Sequence, residues 1–383
     1  MKTESKKKVV EKKSTFDVWG VLRAVGGGAV LVVGVVTIVM MGGAGWVPAK
    51  YFWIGAVLWA VLSALVGWGI FKFDKKHVVR GVFAGLGAVV IVMLNMAAIS
   101  FVNSLNSFFD GIQEPETQIV ETKKGEVTAP FVLYISGIDV RSHDLPLKAR
   151  SDVNILVVVN PEKKTILTVN TPRDFYVDLP NFGGKDKLTH VGTLGVNESV
   201  RALEHLYQTQ VDYYVRVNFD TLIRLVDTID GVEVESDYNF KNSGYHFVVG
   251  KNSLNGDSAL AFSRERKSFS EGDRVRGQHQ QLVIEAIFRK MLRADMIVRA
   301  DSILSALADS LQTNMGADNI RTLIRNQIDE MVDWNVKNIV VNGSGDSQVT
   351  YTGGNQKLYV MQPDWSTVEV AREKIVEALT VVD

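Results

Sequence analysis

The chain has 383 residues, no cysteine and a formal net charge of −1 at pH 7. The near-zero charge argues against a protein whose overall field attracts nucleic acid, and the missing cysteines exclude disulfides, thiolate catalysis and cysteine-ligated zinc. The six histidines include no HExxH pattern, so a zincin-type metalloprotease is also disfavoured.

Three uncharged stretches in the first hundred residues are each long enough to cross a bilayer, which takes about 20 apolar residues in a helix. They run from Ala24 to Val47, from Tyr51 to Phe71 and from Gly81 to Val102. Because apolar side chains cover every face, the sequence predicts three transmembrane helices rather than helices of a soluble core.

The charges that flank these spans predict their orientation. Lysines crowd the segment before the first span, and "KFDKKHVVR" between the second and third spans is also basic, whereas the first connection has only Lys50. The positive-inside rule then places the N-terminus in the cytoplasm and everything after Val102 outside the cell. The predicted divisions are a basic cytoplasmic tail (1–17), three transmembrane helices (18–102), a polar linker (103–130) and an extracellular domain (131–383).

From Phe131 onward, strand and helix patterns alternate, which predicts a three-layer α-β-α domain with a central mixed sheet. Strands are predicted in "FVLYISGID", "VNILVVVN", "TILTVN", "VDYYVRVN", "GVEVE", "NIVVNG" and "KLYVMQ". Helices are predicted in "NESVRALEHLYQT", with Asn197 as N-cap, and in "FDTLIRLVDTID", "QQLVIEAIFRKML", "ADSILSALADSLQ", "TLIRNQIDEMV" and "STVEVAREKIVEAL". The end of "NGDSALAFSRER" is predicted to be strand-like.

Arginines and aspartates cluster at the predicted strand ends, where α/β folds bind ligands. Asp139 ends the first strand, Arg150 and Asp152 precede the second, and Arg173 and Asp174 follow the third. Guanidinium groups bind phosphate oxygens in pairs, and two nearby carboxylates suit Mg²⁺, so the pattern favours phosphoryl transfer. An ordinary surface ion pair is the alternative for any single residue.

A second charged cluster lies in "AFSRERKSFSEGDRVRGQHQQ", residues 261–281. An extended chain here would point Arg264 and Arg266 to one face and Glu265 to the other. A helix that begins near residue 273 would align three polar side chains on one face, namely Asp273, Arg276 and Gln280. This stretch is either one wall of a polyanion site or a solvated charged loop.

The order of these motifs resembles the LytR-CpsA-Psr family of cell-wall enzymes. The resemblance covers about Phe131 to Leu292 and rests on "GID", "RSDVNILVVVNPEKKTILTVNTPRDFYVDLP", "DKLTHVG", "VDYYVRVNFDTLIRLVDTIDGVEVE" and "LNGDSALAFSRERKSFSEGDRVRGQHQQ". The three spans and the lack of cysteine are similar to streptococcal-type capsule-locus members. Those often carry an additional domain after the last span, where this chain has only the short polar linker.

The resemblance implies a phosphotransferase that moves an anionic glycopolymer, capsular polysaccharide or teichoic acid, from a polyprenyl-pyrophosphate carrier to peptidoglycan. It implies release of polyprenyl phosphate after attack by a muramic-acid hydroxyl, and capsule biosynthesis proteins as partners at the membrane. The implied magnesium ligands are Asp139 and Asp152. The implied pyrophosphate-binding residues are Arg150, Arg173, Arg264, Arg266, Arg276 and Gln280. Asp273 would orient arginines or assist proton transfer, and the general base remains open among the aspartates.

Two positions depart from the family pattern. His279 replaces a frequent arginine, and Asn170 stands where an apolar residue is common. His279 and His190 have no second ligand at metal-type spacing, so structural roles are predicted for both.

Three other functions are considered. A polyprenyl-phosphate-binding scaffold or regulator of capsule assembly would need the arginines but not Asp139 and Asp152. A simple pyrophosphatase would use water in place of the glycan hydroxyl. A DNA-binding regulator conflicts with the predicted topology, because only the basic tail and a short loop face the cytoplasm.

Overall fold

The protein is described from a computed structural model. The described residues are 18–45, 47–72, 78–112, 127–138, 140, 145–146, 148–270, 272–293, 296, 303, 307, 311–330 and 332–381. Asp139, the tail 1–17 and most of the helix predicted over residues 300–312 lie outside them. The chain forms two compact units, Met1–Val102 and Asn103–Asp383, the second of which is called the outer unit below.

Three long apolar helices form the N-terminal part of the chain. They are α1 (Val18–Ala44), α2 (Ala49–Phe71) and α3 (Val78–Ile112). Stretches of 22, 23 and 28 residues within them are long and apolar enough to cross a membrane. The Thr37 hydroxyl of α1 donates to the Asn95 side chain of α3, and the Asn95 amide donates to the Ile91 carbonyl at 2.7 Å. Such pairing satisfies polar groups that lipid cannot solvate.

The third helix is longer than the sequence predicted. It ends at Ile112, so the first ten residues of the predicted polar linker are helical. Leu105, Phe108 and Phe109 recur at helical spacing and are buried, which explains why the helix continues. The Asn and Ser residues between them make the segment polar on average, so its composition alone does not reveal the helical spacing of the apolar residues.

The outer unit contains short ribbons and one central sheet. Its strands are β1 (Phe131–Ile138), β2 (Ser151–Asn160), β3 (Thr165–Asn170), β4 (Tyr176–Asp178), β5 (Lys185–Lys187), β6 (Tyr213–Asn218), β7 (Val232–Ser236), β8 (Phe240–Asn242), β9 (Tyr245–Phe247), β10 (Gly250–Leu254), β11 (Leu311–Thr313), β12 (Asn335–Val340), β13 (Gly343–Val349) and β14 (Lys357–Pro363). Its described helices of four or more residues are α4 (Leu188–Val191), α5 (Val196–Tyr207), α6 (Phe219–Thr228), α7 (Gly256–Arg264), α8 (Gly272–Met291), α9 (Ala317–Glu330) and α10 (Trp365–Leu379).

The central sheet is mixed, as predicted. Its strand order is β11-β6-β1-β2-β3-β12, in which β1 and β6, and β3 and β12, pair in parallel and the other neighbours pair antiparallel. On one face, Leu156 and Val169 pack in a core with Leu203 of α5 and Val368 of α10. On the other face, the core side chains of β2, β3 and β12 pack against Ile284 of α8. Helices therefore cover both faces, which confirms the three-layer α-β-α architecture.

This strand order brings the last residues of β1, β3 and β6 and the first residues of β2 to one end of the sheet. Ile138, the last residue of β1, pairs with Ser151 at the start of β2 and with Asn218 at the end of β6. Asn170, the last residue of β3, pairs with Ile155 in the same part of β2. The predicted site segments, which follow or precede these residues, therefore converge there.

Two local predictions were wrong. The end of the segment, from Leu260 to Arg264, belongs to helix α7 rather than to an extended chain. Asn255 caps this helix by accepting a hydrogen bond from Ser258 N at 2.9 Å, and Asn255 N donates to the Ser258 hydroxyl at 2.8 Å. Helix α5 begins at Val196, so Asn197 lies inside its first turn; Gly195, at φ 129°, is the cap residue instead.

Candidate active site at the arginine end of the sheet

Asp152 and Arg173 form the ion pair at the centre of the candidate site. Arg173 Nη1 lies 3.0 Å from Asp152 Oδ1, and both side chains are largely buried. The Thr189 hydroxyl donates to the same oxygen at 3.3 Å, and Thr189 N donates to the Arg173 carbonyl at 2.8 Å. The loop after β3 is thereby held against α4, which fixes where the guanidinium points.

A second acidic residue of this loop orients Arg173 from its other side. Asp174 Oδ2 lies 3.6 Å from Arg173 Nε, and Asp174 Oδ1 lies 3.4 Å from Lys187 Nζ. The alternation of two cations and two carboxylates offsets repulsion between the positive charges and holds the Arg173 guanidinium in place.

Helix α8 is docked on the ends of β3 and β12 by two buried amides. Asn170 Nδ2 donates to the Gly277 carbonyl at 2.8 Å, and Gln281 Nε2 donates to the Ile339 carbonyl at 2.7 Å. These contacts hold the first half of α8, which carries Arg276 and Gln280, beside the segment that leads to Arg173. Arg276 is buried and Gln280 is half-buried. The helix begins at Gly272, so Arg276 and Gln280 lie one turn apart on the same face. The side chain of Asp273 lies outside those that the structure describes.

Arg264 is the last residue of α7, and Arg266 lies in the loop after it. Arg264 Cζ lies 4.7 Å from the ring centroid of Phe219, which directly follows β6, and this cation–π contact holds it at the same end of the sheet. Glu265 is buried and accepts a hydrogen bond from Ser268 N at 2.8 Å, while both arginines are exposed. The predicted separation of Glu265 from the arginines is therefore correct, although a helix end rather than a strand produces it.

Arg150 lies on the exposed segment that directly precedes β2. Ala149 N donates to the Gly192 carbonyl at 3.1 Å. A Cβ at Gly192 would stand 2.4 Å from the Ala149 carbonyl oxygen, so only glycine permits this close approach. We call the end of the sheet that carries these groups the arginine end, and its residues are Arg150, Asp152, Arg173, Arg264, Arg266 and Arg276.

The two histidines that the sequence singled out have structural surroundings. His279 is buried, with ring centroids 4.2 Å from Phe262 and 5.0 Å from Phe240. Burial lowers the pKa of His279 to about 4, and the nearby carboxylates of Asp237 and Glu265 only partly oppose this.

His190 belongs to a separate hydrogen-bonded group. Its Nδ1 lies 3.2 Å from the buried Asp186 carboxylate, to which Thr352 also donates. Burial by itself would raise the pKa of Asp186, but these hydrogen bonds outweigh it and lower the pKa below the usual value. The group ties β5 to the turn between β13 and β14.

Three residues of the site were not assigned roles from the sequence. Thr189 and Lys187 lie in the motif "DKLTHVG", to which the sequence assigns no role beyond the family resemblance. Nothing in the local sequence predicts that Thr189 contacts Asp152 or that Lys187 contacts Asp174. Asn170 was noticed as a departure from the family pattern, but its role in docking α8 depends on a residue 107 positions away.

Magnesium ligation is not established by the described residues, among which no group of three or more His, Asp or Glu side chains could hold a metal ion. Asp139 is outside the described residues, and Asp152 is engaged by Arg173. The chemistry of the two residues is compatible with the ion, because both are carboxylates and Ile138, which precedes Asp139, pairs with Ser151 at the same end of the sheet as Asp152.

Known proteins match this domain. The LytR_cpsA_psr family model matches residues 101–367. The polyisoprenyl-teichoic acid–peptidoglycan teichoic acid transferase TagU of Enterococcus faecalis is 33% identical over 210 residues, which cover 54% of this chain and 69% of the relative. The crystal structure of B. subtilis TagV matches with a TM-score of 0.55 and 27% identity, over 67% of this chain and 99% of TagV. The structure of TagT bound to LI-WTA matches with a TM-score of 0.54 and 26% identity, over 70% of this chain and 98% of TagT. On this evidence, the chain belongs to the LytR_cpsA_psr family.

Proposed function

We propose that this protein transfers an anionic glycopolymer from a polyprenyl-pyrophosphate carrier to peptidoglycan and releases polyprenyl phosphate. The observation that supports the proposal is the ion pair of Arg173 with Asp152 at an end of the sheet where the segments that carry Arg150, Arg264 and Arg276 lie at or beside neighbouring strand ends. The name of the E. faecalis relative as a teichoic acid transferase, and the LI-WTA bound to TagT, support the substrate class. The polymer is teichoic acid or capsular polysaccharide.

The reaction needs positioning and charge stabilisation more than a covalent nucleophile on the protein. The arginines bind the pyrophosphate, and a muramic-acid hydroxyl attacks the sugar-linked phosphorus. A bond forms between the hydroxyl oxygen and that phosphorus while the bond from the phosphorus to the bridging oxygen breaks. Polyprenyl phosphate leaves with the electron pair, and the hydroxyl proton passes to an aspartate carboxylate that acts as the general base. Arg173 is held rigidly on both sides by Asp152 and Asp174, so it needs little reorganisation as charge develops.

Magnesium is proposed as the cofactor, with Asp152 and Asp139 as its carboxylate ligands. When bound, the ion would neutralise charge on the transferring phosphoryl group. Arg173 and Thr189 would keep the Asp152 carboxylate oriented toward that position.

The apolar chain of the carrier requires an apolar surface near the arginines. On the α8 side of the sheet, four apolar side chains of β1 and β2 are only partly buried, namely Leu133, Ile135, Val153 and Val159. These residues lie beside the core formed by Ile155 and Val157. This face supports the proposal that the lipid chain packs between the sheet and its helical cover.

Changing Asp152 to Asn is expected to lower transfer by about 100-fold and to remove its dependence on Mg²⁺, because the amide keeps the size of the side chain but not its charge. The full-length chain in detergent is incubated with a polyprenyl-pyrophosphate oligosaccharide and a muropeptide, and the phosphodiester product is measured by mass spectrometry. Assays with a teichoic acid donor and with a capsular polysaccharide donor show which polymer the protein transfers.

The matched control is Asp318→Asn, which removes an exposed carboxylate and should leave transfer unchanged. Lipid binding without product in the unmodified protein would favour the scaffold instead. Carrier release that the muropeptide does not accelerate would favour a pyrophosphatase.

The three apolar helices and the family membership support a multi-pass protein of the cell membrane with its outer unit outside the cell. Since the chain has no cysteine, single cysteines can report this topology. A membrane-impermeant maleimide should label Asp318→Cys in intact cells but Lys6→Cys only after lysis. The reverse pattern would place the outer unit in the cytoplasm and reject the proposed acceptor.

A further inference from the structure

A cavity outside the arginine end lies between β4, the end of α5 and the start of α10. Its volume is about 340 Å³, within the range of roughly 300–1,000 Å³ that is typical of small-molecule sites. The lining combines two aromatic rings with polar groups, and the residues used below are Tyr176, Asp178, Glu204, Gln208, Trp365 and Arg372.

The guanidinium group of Arg372 packs against one face of the Trp365 indole ring. The guanidinium Cζ lies 5.7 Å from the ring centroid, while Nε and Nη2 donate to the Leu206 carbonyl at 3.0 and 2.7 Å and Nη1 lies 2.5 Å from Glu369 Oε1. All three nitrogens of Arg372 are thus engaged. Trp365 is still 50% exposed, so a rigid, pre-positioned aromatic surface faces solvent.

Aromatic exposure is concentrated on this side of the outer unit. Among its described residues, the exposed aromatic side chains are Phe182, Tyr351, Tyr359 and Trp365. The first three lie on the β4–β5 hairpin and the β13–β14 ribbon. The Tyr176 hydroxyl connects β4 to the β13–β14 ribbon by donating to the Val349 carbonyl at 2.7 Å. Single exposed apolar residues are ordinary, whereas such grouping marks a binding surface.

We propose that this cavity binds neutral pyranose rings of a glycan strand. The C–H face of a sugar carries partial positive charge and stacks on the negative faces of Trp365 and Tyr176. Its hydroxyl groups can donate to the carboxylates of Asp178 and Glu204 and accept from the Gln208 amide. Arg372 is paired with Glu369, and Asp178 is paired with Lys185 at 3.3 Å, so the lining offers hydrogen-bonding groups rather than a cluster of unpaired cations. Such a lining suits a neutral glycan better than a polyanionic polymer.

The ribbons that form the cavity are attached to the loop that carries Arg173. Met361 N of β14 donates to the Asp174 carbonyl at 2.7 Å, and Tyr176 follows Arg173 by three residues. A long glycan can therefore contact the cavity while one of its sugars reacts at the arginine end. The identification of this glycan as the peptidoglycan acceptor rests on the proposed function, whereas sugar binding itself does not.

The test uses the full-length chain in detergent micelles and two probes, the neutral oligosaccharide chitotetraose and the polyanion poly(glycerol phosphate). Binding is followed by ligand-observed NMR and calorimetry. The protein should bind chitotetraose, Trp365→Ala should weaken this by about tenfold, and Trp365→Phe should restore most of it by returning a ring. His246→Ala, which removes an exposed ring on β9 that does not line the cavity, is the matched control and should bind normally. Melting temperatures show whether each variant remains folded.

Absence of chitotetraose binding by the unmodified protein would overturn the inference, as would equal binding by folded Trp365→Ala. Binding of poly(glycerol phosphate) that depends on Trp365 would overturn the choice of a neutral glycan. In the transfer assay, Trp365→Ala should raise the KM for a polymeric acceptor while leaving kcat unchanged. If the protein transfers nothing yet binds chitotetraose through Trp365, the sugar site stands and the proposed function fails.

Discussion

Replacing Arg173 with alanine is expected to reduce transfer by about 10²–10³-fold, the effect typical of removing one pre-positioned group that stabilises charge in a transition state. The position of Arg173 is defined by Asp152 at 3.0 Å, by Asp174 at 3.6 Å and by Thr189 through the backbone. The loss should fall mainly on kcat, because the charge that Arg173 meets develops during phosphoryl transfer.

A lysine at the same position separates charge from geometry. Arg173→Lys retains the positive charge but cannot form two parallel hydrogen bonds, so we expect recovery of only a minor part of the lost rate. Arg289→Ala removes an arginine that pairs with Glu285 on the exposed surface of α8, and it should leave transfer unchanged. Full activity of a folded Arg173→Ala variant would show that the arginine end does not bind the reacting phosphate.

Acidification from pH 6.5 to 4 is expected to destabilise the outer unit through His279. The folded protein resists protonation of this ring until about pH 4, whereas the unfolded chain takes up a proton near pH 6.5. The unfolded state therefore binds more protons in this window, and stability falls as the pH falls. Once the pH has fallen from 6.5 to 4, the free energy of unfolding is lower by roughly 3 kcal/mol.

The contribution of His279 can be isolated by difference. His279→Phe keeps an aromatic ring between Phe240 and Phe262 but cannot take up a proton, so its melting temperature should fall less on acidification than that of the unmodified protein. His205→Gln removes a histidine that is 60% exposed and should behave like the unmodified protein. Equal acid sensitivity of the His279→Phe variant would mean that other groups cause the loss.

The position of His279 shows why a single departure from a family pattern was hard to interpret. An arginine in a phosphate-binding helix suggests a ligand-binding position, yet the histidine here packs among Phe240, Phe262, Phe269 and Tyr238. Those rings come from the β8 region and from the segment before α8, so the environment exists only after folding. The structural role predicted for His279 agrees with this packing, but its aromatic surroundings were not predicted.

Helix α7 illustrates a different limit. Its apolar residues are few and its last residues are charged, so periodicity alone predicts an extended end, whereas the reciprocal cap between Asn255 and Ser258 favours a helix. Local capping decided the structure here, and the signal was present in the sequence. The continuation of α3 to Ile112 was likewise encoded by the spacing of Leu105, Phe108 and Phe109.

Three features could be predicted from the amino-acid sequence, namely the apolar helices, the alternation of strands and helices, and the arginines and aspartates at strand ends. These properties follow from local composition and periodicity, which need no knowledge of distant contacts. Only the tertiary structure decided that Thr189 meets Asp152, that Asn170 docks α8, and that Tyr176 and Trp365 line one cavity. Each of these pairs joins segments separated by between 37 and 189 positions, and strand order and helix packing set such contacts rather than any local pattern.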